Sequence, residues 1–118
     1  MSRAKVLAFC TAFPGAFEDY PFGEQVAVFK VGGRMFALVG MDGDPVRMTL
    51  KCDPDLAIEL RARHAAVVPG YHSHKRHWNT ITLDGTIAAD ELEEMIEHSY
   101  DIVVDKLPKS LRARLAES

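Results

Sequence analysis

The sequence predicts one α+β domain, residues 1–118, in which helices cover an antiparallel β-sheet. Three observations carry that expectation. Residues 25–31 and 34–39 are β-rich runs joined by Gly32-Gly33. Val46 to Lys51 alternates apolar and polar residues with the period of a strand. Leu92, Met95, Ile96, Ser99, Val103, Val104 and Leu107 recur at the spacing of a single helical stripe. No repeat, linker or low-complexity tract divides the chain, and its 118 residues suffice for one core.

Taken in order, residues 2–12 read as a short helix with Val6, Leu7 and Cys10 on one face. Prolines and glycines then punctuate a loop over 13–23, whose aromatics Phe13, Phe17, Tyr20 and Phe22 are expected to pack against the domain. Glu18 and Asp19 read as solvated loop charges rather than a catalytic pair, since no neighbour would perturb them. Gly32 and Gly33 can both take φ > 0, as a type I′ hairpin turn requires, which pairs Val31 with Arg34 and Phe29 with Phe36. After a second turn over 41–45, Val46, Met48 and Leu50 point inward and Arg47, Thr49 and Lys51 outward. Asp53-Pro54 supplies an N-cap acceptor and a first-turn proline for a helix to about His64. Trp78 to Leu83 alternates again, with Ile81 and Leu83 inward and Trp78, Thr80 and Thr82 outward, and Asp84-Gly85 ends it. The long stripe helix follows, Pro108 breaks it, and residues 111–115 suggest a short terminal helix.

The apolar fraction of 47% and charged fraction of 26% belong to a soluble globular chain. No apolar run approaches the ~20 residues that span a bilayer, and the basic N-terminus leads into no signal-peptide core. Cys10 and Cys52 form no CxxC pair and read as free buried thiols of a reducing cytoplasm. The net charge of −3 hides a segregation: residues 47–80 carry +3 and residues 84–118 carry −5. A basic middle on an acidic protein permits an anionic partner.

Residues 69–80 hold three of the five histidines, the only tryptophan and the pair Lys75-Arg76. Phosphate contact needs accessible cations, and base contact needs stacking surfaces or amide edges. Lys75, Arg76 and His77 precede Trp78 and Asn79 where a strand begins, while Arg47 and Lys51 lie on the outward face of another. Adjacent strands would join these cations to the aromatic. His72, His74 and His77 also have the ligand types of a catalytic zinc site, but no nearby carboxylate supplies the supporting hydrogen bonds, and no metal is expected. Ser73 lacks a nucleophile elbow, Cys10 sits on an apolar stripe, and Asp53 beside Cys52 would raise its pKa. His98 reads as structural or solvated. No phosphate loop or dinucleotide fingerprint is present. Asp90, Glu91, Glu93, Glu94 and Glu97 form an acidic helix face that could meet a basic partner, although helix N-termini favour carboxylates for dipole reasons alone.

The segments 18–23, 29–37, 50–54, 69–72, 75–80 and 98–101, in this order along nearly the whole chain, resemble the MmcQ/YjbR family of small bacterial proteins. The resemblance implies a compact α+β fold related to the frataxin-like arrangement, and a DNA-binding role through a "double wing" has been proposed for the family. Ser73-His74 departs from the family pattern, which more usually has an apolar residue followed by Asn or Asp. Together these readings lead us to expect a monomeric, cytoplasmic, non-enzymatic protein without cofactor, metal or membrane partner. Its expected partner is DNA, bound weakly and without sequence preference through Arg47, Lys51, His72, Lys75, Arg76, His77, Trp78 and Asn79. The alternative is a non-enzymatic module that binds a protein or a small ligand; a metal-dependent enzyme built on the histidine cluster is the third reading.

Overall fold

A computed structural model describes residues 1–70 and 74–117. Its elements run α1 (Arg3–Thr11), β1 (Phe17–Asp19), β2 (Val26–Val31), β3 (Arg34–Gly40), β4 (Val46–Lys51), α2 (Pro54–Arg63), β5 (Val67–Pro69), β6 (Trp78–Leu83), α3 (Ala89–Asp105) and α4 (Lys109–Ala116). The strands form one antiparallel sheet in the order β1-β2-β3-β4-β6-β5. The α+β architecture read from the sequence is the one observed.

Local chemistry sets the boundaries. The Ser2 hydroxyl caps α1 by accepting from the Lys5 amide, and Asp53 caps α2 with Pro54 in its first turn. Gly32 and Gly33 take φ of +58° and +80°, and Val31 faces Arg34 as the I′ turn dictates.

The sheet has two unlike faces. One row of paired residues, Ala27, Val39, Met48, Ile81 and Val67, crosses five strands on the inner face and is buried throughout. The helices pack over this side: α1 through Val6 and Cys10, α2 through Ala57 and Leu60, and α3 through Leu92, Met95, Ile96 and Val103. The neighbouring row, Asp19, Val28, Leu38, Thr49, Thr80 and Val68, crosses all six strands on the outer face. None of these six residues belongs to the helix-covered core.

Two expectations need correction. Phe29 lies opposite Ala37 and Lys30 opposite Met35, so Phe36 is the extra residue of a β-bulge rather than the partner of Phe29. The bulge turns Phe36 inward beside Ala37, where its ring meets Phe13 and Tyr100 edge-on. It also leaves the Phe36 carbonyl to the buried Ser99 hydroxyl, which donates to it and accepts the Lys51 amide. The 13–23 segment contains β1, and of its four aromatics only Phe13 packs on the core. Phe17, Tyr20 and Phe22 are 61%, 39% and 63% exposed.

Candidate functional site: a cationic cleft at the Lys51 end of the sheet

Strands β4 and β6 pair directly, so Lys51 lies opposite Trp78, Thr49 opposite Thr80 and Arg47 opposite Thr82. Cations and the single indole therefore share the outer face. At the Lys51 end of the sheet, where the last turns of α3 pass its edge, a cleft of about 290 Å³ is lined by Arg34, Met35, Lys51, Trp78, Val103 and Lys106. The Lys51 ammonium is held below its ordinary pKa by partial burial and by the charges of Lys106 and Arg34. His77 is lowered as well, first by desolvation and then by His74, Arg76, Lys106 and Lys51. Among the described residues, Arg34, Lys51, Arg76 and Lys106 make no ion pair with a carboxylate.

The turn before β6 is built onto this cleft by α2. Its His74 carbonyl accepts from the amides of His77 and Trp78, and the His77 carbonyl accepts from Cys52. Arg61 reaches across from α2: its Nε donates to Asn79 Oδ1 at 2.7 Å, while its Nη2 donates to the carbonyls of Lys75 and Trp78. Gly70 sits so close to Trp78 that a Cβ there would come within 2.8 Å of the Trp78 Cβ. Its amide donates to the Trp78 carbonyl. Arg61 and Gly70 thus both hold the Trp78 carbonyl, and Arg61 also holds the basic turn through Lys75.

The sequence-predicted residues divide. Lys51, Arg76, His77 and Trp78 come together, with Lys75 exposed on the same turn. Arg47 stays on the outer face but lies four residues from Lys51 along β4, about 13 Å at strand rise. Asn79 is on the inner face, opposite Leu50 and only 2% exposed, because strand alternation turns it away from Trp78. Its amide is not offered on the outer surface. His72 lies outside the described residues. His74 and His77, the other two members of the proposed metal triad, have ring centroids 4.9 Å apart. Sequence reasoning missed Arg34 and Lys106. Arg34 follows the I′ turn, and pairing β3 with β4 would have brought it to the Lys51 end; Lys106 depends on how α3 crosses the sheet, which no local pattern encodes.

The remaining candidates take structural roles. Cys10 and Cys52 are free and buried, and desolvation pushes their thiols up to about 12 and about 11, with Asp53 adding to the rise at Cys52. His98 Nε2 accepts the Asp53 amide and so ties α3 to the start of α2. Asp19 pairs with Lys30 at 2.9 Å on the outer face, and that hydrogen bond lowers its pKa. No helix among the described residues is long and apolar enough to cross a membrane.

A family model named YjbR matches residues 11–102. The Escherichia coli K12 protein YjbR is 32% identical over 117 residues, 99% of either chain. YbdF of Escherichia coli O157:H7 is 34% identical over 97 residues, 81% of this chain and 79% of its own. The crystal structure of Deinococcus radiodurans DR2400, described as a DUF419 domain, superposes with a TM-score of 0.91 at 40% identity, over 96% of this chain and 86% of that one. A Pseudomonas syringae protein gives 0.75 at 27% identity, over 87% and 99%. None of these names states an activity or a ligand.

Proposed function

This chain belongs to the YjbR family, and from that premise we propose that the cationic cleft at the Lys51 end of its sheet binds single-stranded DNA without sequence preference. The protein acts by binding, not by catalysis. One observation carries the reading: Lys51 and Trp78 are direct cross-strand neighbours, ringed by Arg34, Lys106, Arg76 and His77 with no carboxylate paired to the cations among the described residues. Cations neutralise backbone phosphates, and an indole on a flat sheet offers a stacking surface to any base. A single strand exposes its bases to such a platform, whereas a duplex hides them. The "double wing" role suggested for the family is compatible with this assignment, although here the cleft at the end of the sheet is the contact surface. The net charge of −3 sets a limit on affinity, because the whole molecule repels a polyanion that the cleft attracts.

Trp78 is the only tryptophan, so its fluorescence reports the site directly. Titration with oligodeoxythymidylate at low salt and about pH 6, where histidines gain charge, should quench that emission to saturation. Emission that does not change, together with no binding by any second method, would remove the assignment.

A further inference from the structure

Helix α2 is tied to α3 at both ends, and a histidine makes each tie. At its start, the Asp53 amide donates to His98 Nε2 of α3 at 3.2 Å. At its end, His64 Nε2 lies 2.7 Å from Glu91 Oε2 of α3, and Arg63 Nη2 lies 3.2 Å from the same oxygen. The two ties answer a proton in opposite ways. A ring nitrogen that accepts a backbone amide carries no proton of its own, so charging His98 sets one N–H against another and breaks the bond. Charging His64 turns its contact with Glu91 into a stronger, charge-assisted hydrogen bond. The helix dipole has the same bias, because His98 stands at the positive N-terminal end of α2 and His64 is its C-cap, at the negative end. Neighbouring charge does not reverse the contrast. His98 shares the cavity of about 370 Å³ between the helices with Lys51 and Cys52 from the end of β4, Arg63 of α2, and Asp90, Glu91 and Glu94 of its own helix. The Asp53 carboxylate caps the Leu56 amide, so a charged His98 can claim it only by uncapping α2. His64 has Glu91 and the Arg63 guanidinium, which Glu59 also holds.

We propose that α2 is a pH-sensitive arm: its first turn leaves α3 when His98 becomes charged, while its last turn stays pinned through His64 and Glu91. The helix then pivots about its C-terminal end. Cys52, Leu56 and His98 line the cavity at the freed end, so the movement widens it there. Arg61 belongs to the pinned last turn, and its hydrogen bonds to Lys75, Trp78 and Asn79 survive. The arm thus opens the space between the helices without dismantling the cleft at the end of the sheet, whatever that cleft binds.

Amide hydrogen exchange of the full chain, followed by NMR at about pH 7.5 and about pH 5.5, tests the arm. Over that range an ordinary imidazole gains its charge and ordinary carboxylates stay ionised. Protection factors, corrected for intrinsic exchange and referred to the amides of α1, should fall about two- to tenfold at Asp53, Leu56 and Ala57, the range for losing one hydrogen bond. The His64 amide, which donates to the Leu60 carbonyl in the pinned last turn, should keep its protection or gain. His98→Gln supplies a carbonyl acceptor that does not titrate, and should abolish the fall at the start of α2. Unchanged protection at Asp53, Leu56 and Ala57, an equal fall at both ends of α2, or a fall in His98→Gln as large as in wild type would overturn the proposal. The contrast between the two ends in the wild-type protein decides even where the variant does not fold.

Discussion

Two rows of residues, one position apart along the same strands, have opposite fates. Ala27, Val39, Met48, Ile81 and Val67 are at most 3% exposed beneath the helices. Val28, Leu38, Thr49, Thr80 and Val68 share the adjacent face, where exposure grades from the fully buried Val28 through half-buried Leu38, Thr49 and Thr80 to Val68 at 47%. Strand alternation sends successive side chains to opposite sides, so the same backbone serves both. The difference lies in what each side must match. The inner row answers the stripe of α3, where any polar atom needs a partner, as Ser99 finds in the Phe36 carbonyl and the Lys51 amide. The outer row has no helix to match beyond the buried Val28, so the half-buried threonines Thr49 and Thr80 can satisfy each other there without upsetting the core. A one-sided helical layer is thus what leaves a sheet face free for binding.

The largest effect expected from this contrast is on stability. Phe36→Ala should cost about 3–5 kcal/mol in chemical denaturation, as for other buried aromatics. Leu38→Ala, two residues along on the half-exposed outer side, should cost about 1 kcal/mol, because its side chain loses less buried area. Equal losses at the two positions would break the comparison. Thiol chemistry sharpens it next. Cys52 titrates at about 11 rather than 9.0, so near pH 8 the folded protein should react with a disulfide reagent about a hundredfold more slowly than the unfolded chain, since thiolate is the nucleophile. The linked stability has a definite sign. A raised thiol pKa stabilises the fold fully below the ordinary value of 9.0, and that contribution is lost as pH rises towards 11. Rapid labelling of native protein would contradict this placement of Cys52.

Ser99→Ala removes the hydroxyl from the bulge and should cost about 1–3 kcal/mol, the range for leaving a buried partner unsatisfied. A neutral result would mean that water replaces the hydroxyl. The smallest effect concerns pH. His77 is held below its usual pKa by burial and by the surrounding cations, and a bound phosphate would offset those cations and raise it. Binding should therefore take up a proton, and affinity for DNA should increase about two- to threefold as pH falls below the ordinary imidazole range near 6.5. His77→Gln should remove part of that rise; an unchanged profile would take His77 out of the site.

Most of the fold was legible because its signals are local. The alternation of Val46 to Lys51 and Trp78 to Leu83, the Gly32-Gly33 turn and the α3 stripe each follow from nearest neighbours; β4 and β6 begin and end where their patterns do, while α3 stops at Asp105, two residues before the last residue of its stripe. What the sequence hid depends on packing between distant segments. The bulge at Phe36 exists because Phe13, Tyr100 and Ser99 claim that residue from 23 to 64 positions away. For the candidate site, the pairing of Lys51 with Trp78 was foreseeable once β4 and β6 were taken as neighbours. Asn79 could have been assigned inward by the same alternation that placed Ile81 there. The arrival of Lys106 and the Arg61 brace could not, since both depend on where helices cross the sheet.

The salt dependence of single-stranded DNA binding tests the central claim most directly, because each phosphate neutralised contributes about 0.7 to the slope of log affinity against log salt. Replacing Lys51 and Lys106 together by alanine should lower that slope by about 1.4 relative to wild type. Arg47→Ala, on the same strand but about 13 Å from Lys51, should leave it almost unchanged. Equal losses from both variants, or binding whose slope ignores Lys51 and Lys106, would contradict the assignment of the cleft as a nucleic-acid surface.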